Sequence, residues 1–491
     1  MRLIRLFFLL VLLMGIGVSA DVVSRPSDSA RILTWLTNPD EIVYIAGDGE
    51  IISLDVDLPN RFNYAEPCTE QATSPDGKFF TFFAGNINSG GSLFMVEDTD
   101  DPVEFATDVS SRACLGMGSF QYSPDSSQVG YIDYEPIGDS IPNGTLSIRR
   151  TNALQNITFT AEKVAAFVLQ NDRVLFVDVT TNGRAIIYER RTGGESEEVM
   201  QLFTDSSSCT FDGAHISVVD DNRLLLVLGQ SSGCRTNRWA AYLIDESVPS
   251  ATRVLSGDTG SRGSTAQIAA STQSLIGMSS TDNLYVLYPS GLQGTYTSHL
   301  SVIDRVLLDA PEPTASNMII PNRNTQNIRA ANPVISQNRT YTAIVDQTAD
   351  VDSTIYLFSL GSPVQVDGGS LGDTISGMTF SRDSRYLVYV SGGVDGSENG
   401  LYRVNVGDAE SGVAGNRIER GNYVVPMVIS PDGNYVALGQ YMPIAGDSYI
   451  DLIAVELSNG EATELFEGGR VTDGRIPPET KRRAIPLSWR R

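Results

Sequence analysis

Groups that could do chemistry are sparse in this chain, and their types limit what it could catalyse. Its 491 residues include only two histidines, His215 and His299. A His-rich metal centre is therefore excluded, and a Ser–His–Asp triad would have to be built on one of those two. G-x-S-x-G is spelled at Gly229-Gln230-Ser231-Ser232-Gly233 and Gly368-Gly369-Ser370-Leu371-Gly372, but no helical periodicity follows either, so neither reads as the strand-to-helix turn that exposes a nucleophilic serine. Asp258-Thr259-Gly260-Ser261 matches the aspartic-protease phrase. That chemistry needs a second carboxylate to share the proton, no second copy exists, and the flanking glycines read as a turn. Carboxylates gather in three loops: Glu97, Asp98, Asp100 and Asp101; Asp346, Asp350 and Asp352; Asp395 and Glu398. Oxygen-rich loops of this kind can hold Ca²⁺, but none has EF-hand or nonapeptide spacing, so solvated loops are the expectation and no cofactor is assigned. No glycine-rich phosphate loop follows a strand and opens a helix.

Four cysteines remain, without C-x-x-C spacing. Two disulfides, Cys68–Cys114 and Cys209–Cys234, are expected among the three connectivities open to four cysteines. In this reading Cys68 closes one unit of the chain and Cys114 the next.

The elements that must position these groups are announced by a repeated phrase. Ser74-Pro75-Asp76-Gly77, Ser123-Pro124-Asp125-Ser126, Ser381-Arg382-Asp383-Ser384 and Ser430-Pro431-Asp432-Gly433 each separate two apolar runs. A degenerate fifth copy is Asn38-Pro39-Asp40-Glu41. Proline presets φ at the first central position of a turn, Asp and Ser bond neighbouring N–H groups, and Gly supplies positive φ. The candidate structural residues are thus Pro39, Asp40, Pro75, Asp76, Gly77, Pro124, Asp125, Asp383, Pro431, Asp432 and Gly433. The runs that follow, such as Lys78-Phe79-Phe80-Thr81-Phe82-Phe83 and Arg385-Tyr386-Leu387-Val388-Tyr389-Val390, have strand composition and strand length. Asp76 and Asp125 lie 49 residues apart, as do Asp383 and Asp432. That period suits a four-stranded propeller blade.

The expected fold is all-β: a single β-propeller of four-stranded blades over residues 21–491, eight in number, with seven and nine as alternatives. Nine units can be traced, with turns near 40, 76, 125, 172, 221, 275, 337, 383 and 432, the sixth being weak. Apolar strand, Ser-Pro-Asp-Gly and aromatic strand together resemble the WD-like repeats of TolB-type β-propellers. Trp35-Leu36-Thr37-Asn38-Pro39-Asp40 is similar to that family's fuller Trp-Ser-Pro-Asp-Gly form. The resemblance covers about residues 32–491, is specific for fold, and implies protein partners at the cell envelope. Ile485-Pro486-Leu487-Ser488-Trp489 parallels Arg31-Ile32-Leu33-Thr34-Trp35, so the run 484–491 is expected to lie beside the first unit and close the ring.

Residues 1–20 have signal-peptide chemistry: Arg2 and Arg5, the apolar core Leu6–Leu13, and Val18-Ser19-Ala20 before the cut. The expectation is a protein exported to the periplasm or secreted, with no transmembrane segment in the mature chain. Net charge is −24, or −26 once Arg2 and Arg5 are removed. That argues against nucleic acid and anionic membranes as partners. The basic residues Lys481, Arg482, Arg483, Arg490 and Arg491 stand against this trend, as a latch onto the acidic body. The function expected is a binding scaffold for protein partners. The alternative is a propeller-type hydrolase, lactonase or glycan-active, working through channel carboxylates. An accessory propeller of an exported peptidase ranks below both.

Overall fold

The computed structural model describes residues 26–490 except 28–29, 38–39, 55–61, 69–71, 116–117, 135–142, 181–182, 204–210, 219–222, 231–238, 248–249, 258–276, 279–282, 290–300, 308–314, 318–326, 329, 337–339, 347–353, 359–363, 369–373, 393–398, 410–414, 445–446 and 469–482. Residues 1–20, read above as a signal peptide, Pro39, Cys209, Cys234, His299 and the Asp258–Ser261 phrase lie outside the described residues.

Among the described residues the strands form eight antiparallel sheets that follow one another along the chain. In the 64–109 sheet, Tyr64–Pro67, Phe79–Asn86, Gly90–Glu97 and Val103–Val109 pair in sequence order. The 211–257, 330–368, 374–420 and 423–466 sheets repeat this up-and-down order. First strands of successive sheets pack together: Ala330–Ile335 on Thr374–Phe380, Thr374–Phe380 on Tyr423–Ile429, and Tyr423–Ile429 on Ala484–Arg490. The first strands therefore form the inner ring of a β-propeller, with the later strands radiating outward.

The apolar runs are continuous because the strands that carry them are buried on both faces. Phe80, Phe82 and Ala84 pack toward Leu33, Trp35 and Tyr44 of the first sheet. Their neighbours Phe79 and Phe83 pack the other way, toward Phe120, Tyr122 and Tyr131 of the next sheet. Side chains alternate across a strand, so a blade with a blade on either side needs apolar residues in both phases. The strand aromatics accordingly serve as packing: Phe80, Phe82, Phe83 and Phe94 are fully buried.

Pairing is regular between the second and third strands, as in Phe79–Asn86 against Gly90–Glu97. It is bulged at the outer strand, for example at Leu93/Phe94, Tyr242 and Tyr402. It is also bulged at many inner strands, as at Gly377 and Met427. Bulges add twist and blunt exposed edges.

One departure from expectation is topological. The 120–203 sheet has seven strands, because Ala153–Leu169 runs 17 residues without a break. Its first half pairs with Gly144–Arg150 and its second half with Arg173–Val179, the change falling at Lys163, which has a φ of 61°. One strand thus ends one four-strand set and begins the next. The termini meet in the first sheet. Ala484–Arg490 pairs antiparallel with Arg31–Leu36, Trp35 opposite Ile485 and Ile32 opposite Trp489. The C-terminal strand is therefore the inner strand of the first sheet, and the two similar runs are neighbours in one sheet rather than equivalent strands of two. In consequence the turn at Asp40 joins the second and third strands of its sheet, whereas the other copies join the first and second. Asp40 there accepts a hydrogen bond from Trp35 Nε1 at 3.2 Å.

Cys68 and Cys114 are joined as a disulfide, Cα to Cα 4.5 Å. Both flank the same sheet, which corrects the placement in successive units: Cys68 follows its inner strand, and Cys114 lies on the short helix Arg112–Leu115 after its outer strand. No described helix is long and apolar enough to cross a membrane.

Candidate functional site

The repeat turns at Asp76, Asp125, Asp383 and Asp432, each joining the first and second strands of its sheet, lie at one mouth of the ring and are built the same way. Ser74 Oγ donates to Asp76 Oδ1 at 2.6 Å and accepts from the Phe79 N–H at 2.9 Å, while Asp76 Oδ1 also accepts from the Lys78 N–H at 3.0 Å. Ser123 with Asp125, Ser381 with Asp383, and Ser430 with Asp432 repeat all three bonds within 0.1 Å. Ser336, in a worn copy, keeps the serine half by accepting from the Tyr341 N–H at 2.9 Å. Burial would raise the four Asp carboxyls, but the serine hydroxyls and backbone N–H groups outweigh it and hold all four below the usual carboxylate range. They are ionised and already spent on their own turns.

Neighbouring turns are stitched together. The Asp76 N–H donates to Ser126 Oγ at 3.0 Å, and the Asp125 N–H donates to Asn171 Oδ1 at 2.9 Å. Thr81 Oγ1 and Tyr122 Oη, both buried, share a hydrogen bond of 2.5 Å between the 64–109 and 120–203 sheets. Gln121 bonds the Phe167 carbonyl and the Leu169 N–H, tying one inner strand to the next.

Two arginines enter the same mouth. Arg490, 4% exposed, donates from Nε to the Asp98 carbonyl at 2.8 Å and from Nη2 to the Lys78 carbonyl. The expected latch of the basic tail thus works at Arg490 through backbone carbonyls rather than carboxylates; Lys481, Arg482 and Arg491 lie outside the described residues. Arg382 reaches the Asp76 carbonyl at 3.1 Å. Arg382, Thr81 and Tyr122 were not singled out by sequence. The only available signal was Arg382 standing where three copies have proline.

Elsewhere, burial raises the carboxyls of Glu66, on the inner strand Tyr64–Pro67, and of Asp133, which accepts from the Ser110 N–H at 3.0 Å. The Glu97–Asp101 loop does not converge on a cation. Glu97 pairs with Lys78, and with Asp100, Asp101, Phe79, Met95, Val103, Thr151 and Leu154 it borders a shallow hollow. Among the described residues no three His, Cys, Asp or Glu side chains are placed to hold a metal ion. His215 is buried on Phe211–Val218, and desolvation lowers its pKa to about 4, so it is neutral.

No family model matches the chain. No curated protein matches it either. Among solved structures, it is similar to a prolyl endopeptidase at 12% identity and TM-score 0.45, over 80% of this chain and 55% of that one. It is similar to an oligogalacturonate lyase in complex with manganese at 11% identity and TM-score 0.38, over 80% and 90% of the two chains. It is also similar to the β-propeller domain of the Trilobed protease from Pyrococcus furiosus at 9% identity and TM-score 0.36, over 70% and 94%. The chain spans little more than half the length of the prolyl endopeptidase. No residue role is carried over at these identities, and the propeller assignment stands on the sheet topology described above.

Proposed function

We propose that this chain is an exported β-propeller that takes its substrate or partner at the channel, and that it is a hydrolase using a channel-side carboxyl as proton donor. The observation that carries the reading is Glu66: an inner-strand carboxyl whose pKa burial raises, with no basic neighbour lowering it. A general acid must hold its proton near the working pH, and burial is the usual means of achieving this. The substrate classes to try are peptides containing proline, acidic oligosaccharides and lactones. The second reading, a scaffold for envelope or secreted proteins, is favoured by the four turn aspartates. They stiffen one face of the ring and keep no free carboxylate chemistry.

Three finer features belong to the same proposal. Export rests on Arg2, Arg5, the Leu6–Leu13 core and Val18-Ser19-Ala20. Kinship with TolB-type propellers rests on the repeat phrase alone. A nine-unit ring, rather than eight, is supported by the 120–203 sheet, whose shared strand serves two four-strand sets. The experiment is turnover of the three substrate classes by residues 21–491 and by Glu66→Gln. Hydrolysis that falls at least ~100-fold in E66Q with an unchanged melting temperature supports the hydrolase. No turnover, with a stoichiometric protein recovered from envelope fractions, replaces it with the scaffold.

A further inference from the structure

The Ser381–Ser384 turn breaks the repeat phrase at one position, and that position leads across the ring. Pro75, Pro124 and Pro431 fix φ at the second place of their turns; Arg382 gives up that restraint. Its Nη2 donates to the Asp76 carbonyl at 3.1 Å, 306 residues away. The guanidinium lies against Gly77, so that a Cβ added there would stand 2.1 Å from Nη2. The two turns do not belong to adjacent sheets. Between the 374–420 and 64–109 sheets, in ring order, come the 423–466 sheet and the first sheet with its strand Ala484–Arg490. That intervening first sheet sends Arg490 to the carbonyls of Lys78 and Asp98 beside the same turn.

We propose that Arg382 is a strap across the turn-face mouth, a conformational device tying two non-adjacent blades so that the ring resists opening there. Arginine replaces proline because the span needs a long donor, and its guanidinium can lie on Gly77 because that position, glycine for its positive φ, carries no side chain.

A double-mutant cycle tests this, since coupled residues fail to add. Gly77→Ala strains its turn (φ 78°) and displaces the guanidinium. Arg382→Pro restores the repeat phrase and removes the strap, with Arg382→Ala as the second variant if the proline does not fold. The loss of the strap is counted once in the double variant and twice in the sum of the singles. The double variant's urea midpoint is therefore expected to fall by less than that sum, and additive shifts would overturn the strap. As a local readout, amide exchange over residues 74–79 is expected to accelerate about tenfold in R382P while residues 430–435 keep their rate. Unchanged exchange at 74–79 would overturn it equally.

Discussion

At the fourth place of the repeat turn the backbone is left-handed in every well-formed copy. Gly77 and Gly433 have φ of 78° and 74°, and Ser126 and Ser384 are held at 62° and 59°. A side chain there costs roughly 1–2 kcal/mol, offset in part by the extra unfolded-state freedom of glycine. Gly433→Ala should therefore lower stability by about 0.5–1 kcal/mol, read as a lower urea midpoint at unchanged slope. Ser126→Gly should bring no gain from relieving that strain, because Ser126 Oγ accepts the Asp76 N–H and its removal leaves that donor without its partner. The turn chemistry at this scale was legible in sequence because its bonds are local. Asp76, Asp125, Asp383 and Asp432 reach N–H groups only two residues on. Pro39 lies outside the described residues, and Asp40 serves a different turn of its sheet, a difference that spelling alone could not reveal.

Among the elements, Ala484–Arg490 has the largest consequence. It is buried along nearly its whole length, pairs with Arg31–Leu36, and packs Trp489 against Tyr435 of the preceding sheet with ring centroids 6.1 Å apart. Leu487 adds to the core shared with Phe80 and Phe82, and Arg490 to the turn at Lys78. We propose that this strand closes the ring by giving the first sheet its inner strand from the chain's far end. Removing residues 484–491 would expose the edge of Arg31–Leu36 and both neighbouring core layers. The expected result is a melting temperature lower by more than about 10 °C, since several buried side chains at roughly 1.5–3 kcal/mol each are lost. A deletion variant that melts with the full-length chain would remove the closing role.

For the molecule as a whole, pH is the lever that separates buried groups by sign. The folded pKa of His215, about 4, lies below its ordinary 6.5, so the unfolded chain takes the proton first. Its contribution is intact above pH 6.5 and is lost as the pH falls toward about 4, by up to about 3 kcal/mol. Asp133, Asp178 and Asp451 act oppositely: burial raises each carboxyl above its ordinary value. They cost stability when ionised at neutral pH and return it as the pH falls through their raised values. The four turn aspartates, held low, lose their contribution only in acid below the ordinary 3.8. His215→Gln should therefore flatten the loss of stability between pH 6.5 and 4, measured by urea unfolding at each pH. A slope identical to that of the parent would assign the loss elsewhere.

The sequence by itself determined the all-β class, the repeat, the turns and the doubly buried strands. Those properties arise from φ preferences, side-chain bonds of short reach and the two-residue period of a strand. Tertiary structure alone decided what depends on distant segments meeting. It made 153–169 one strand across two sets, gave the turn at Asp40 to the second and third strands of its sheet, and put Cys68 and Cys114 at the two ends of one blade. It also sent Arg382 and Arg490 to carbonyls more than 300 residues away. A backbone carbonyl is the same acceptor at every residue, so nothing in the spelling of Asp76 or Lys78 could mark it as the end of an arginine's reach.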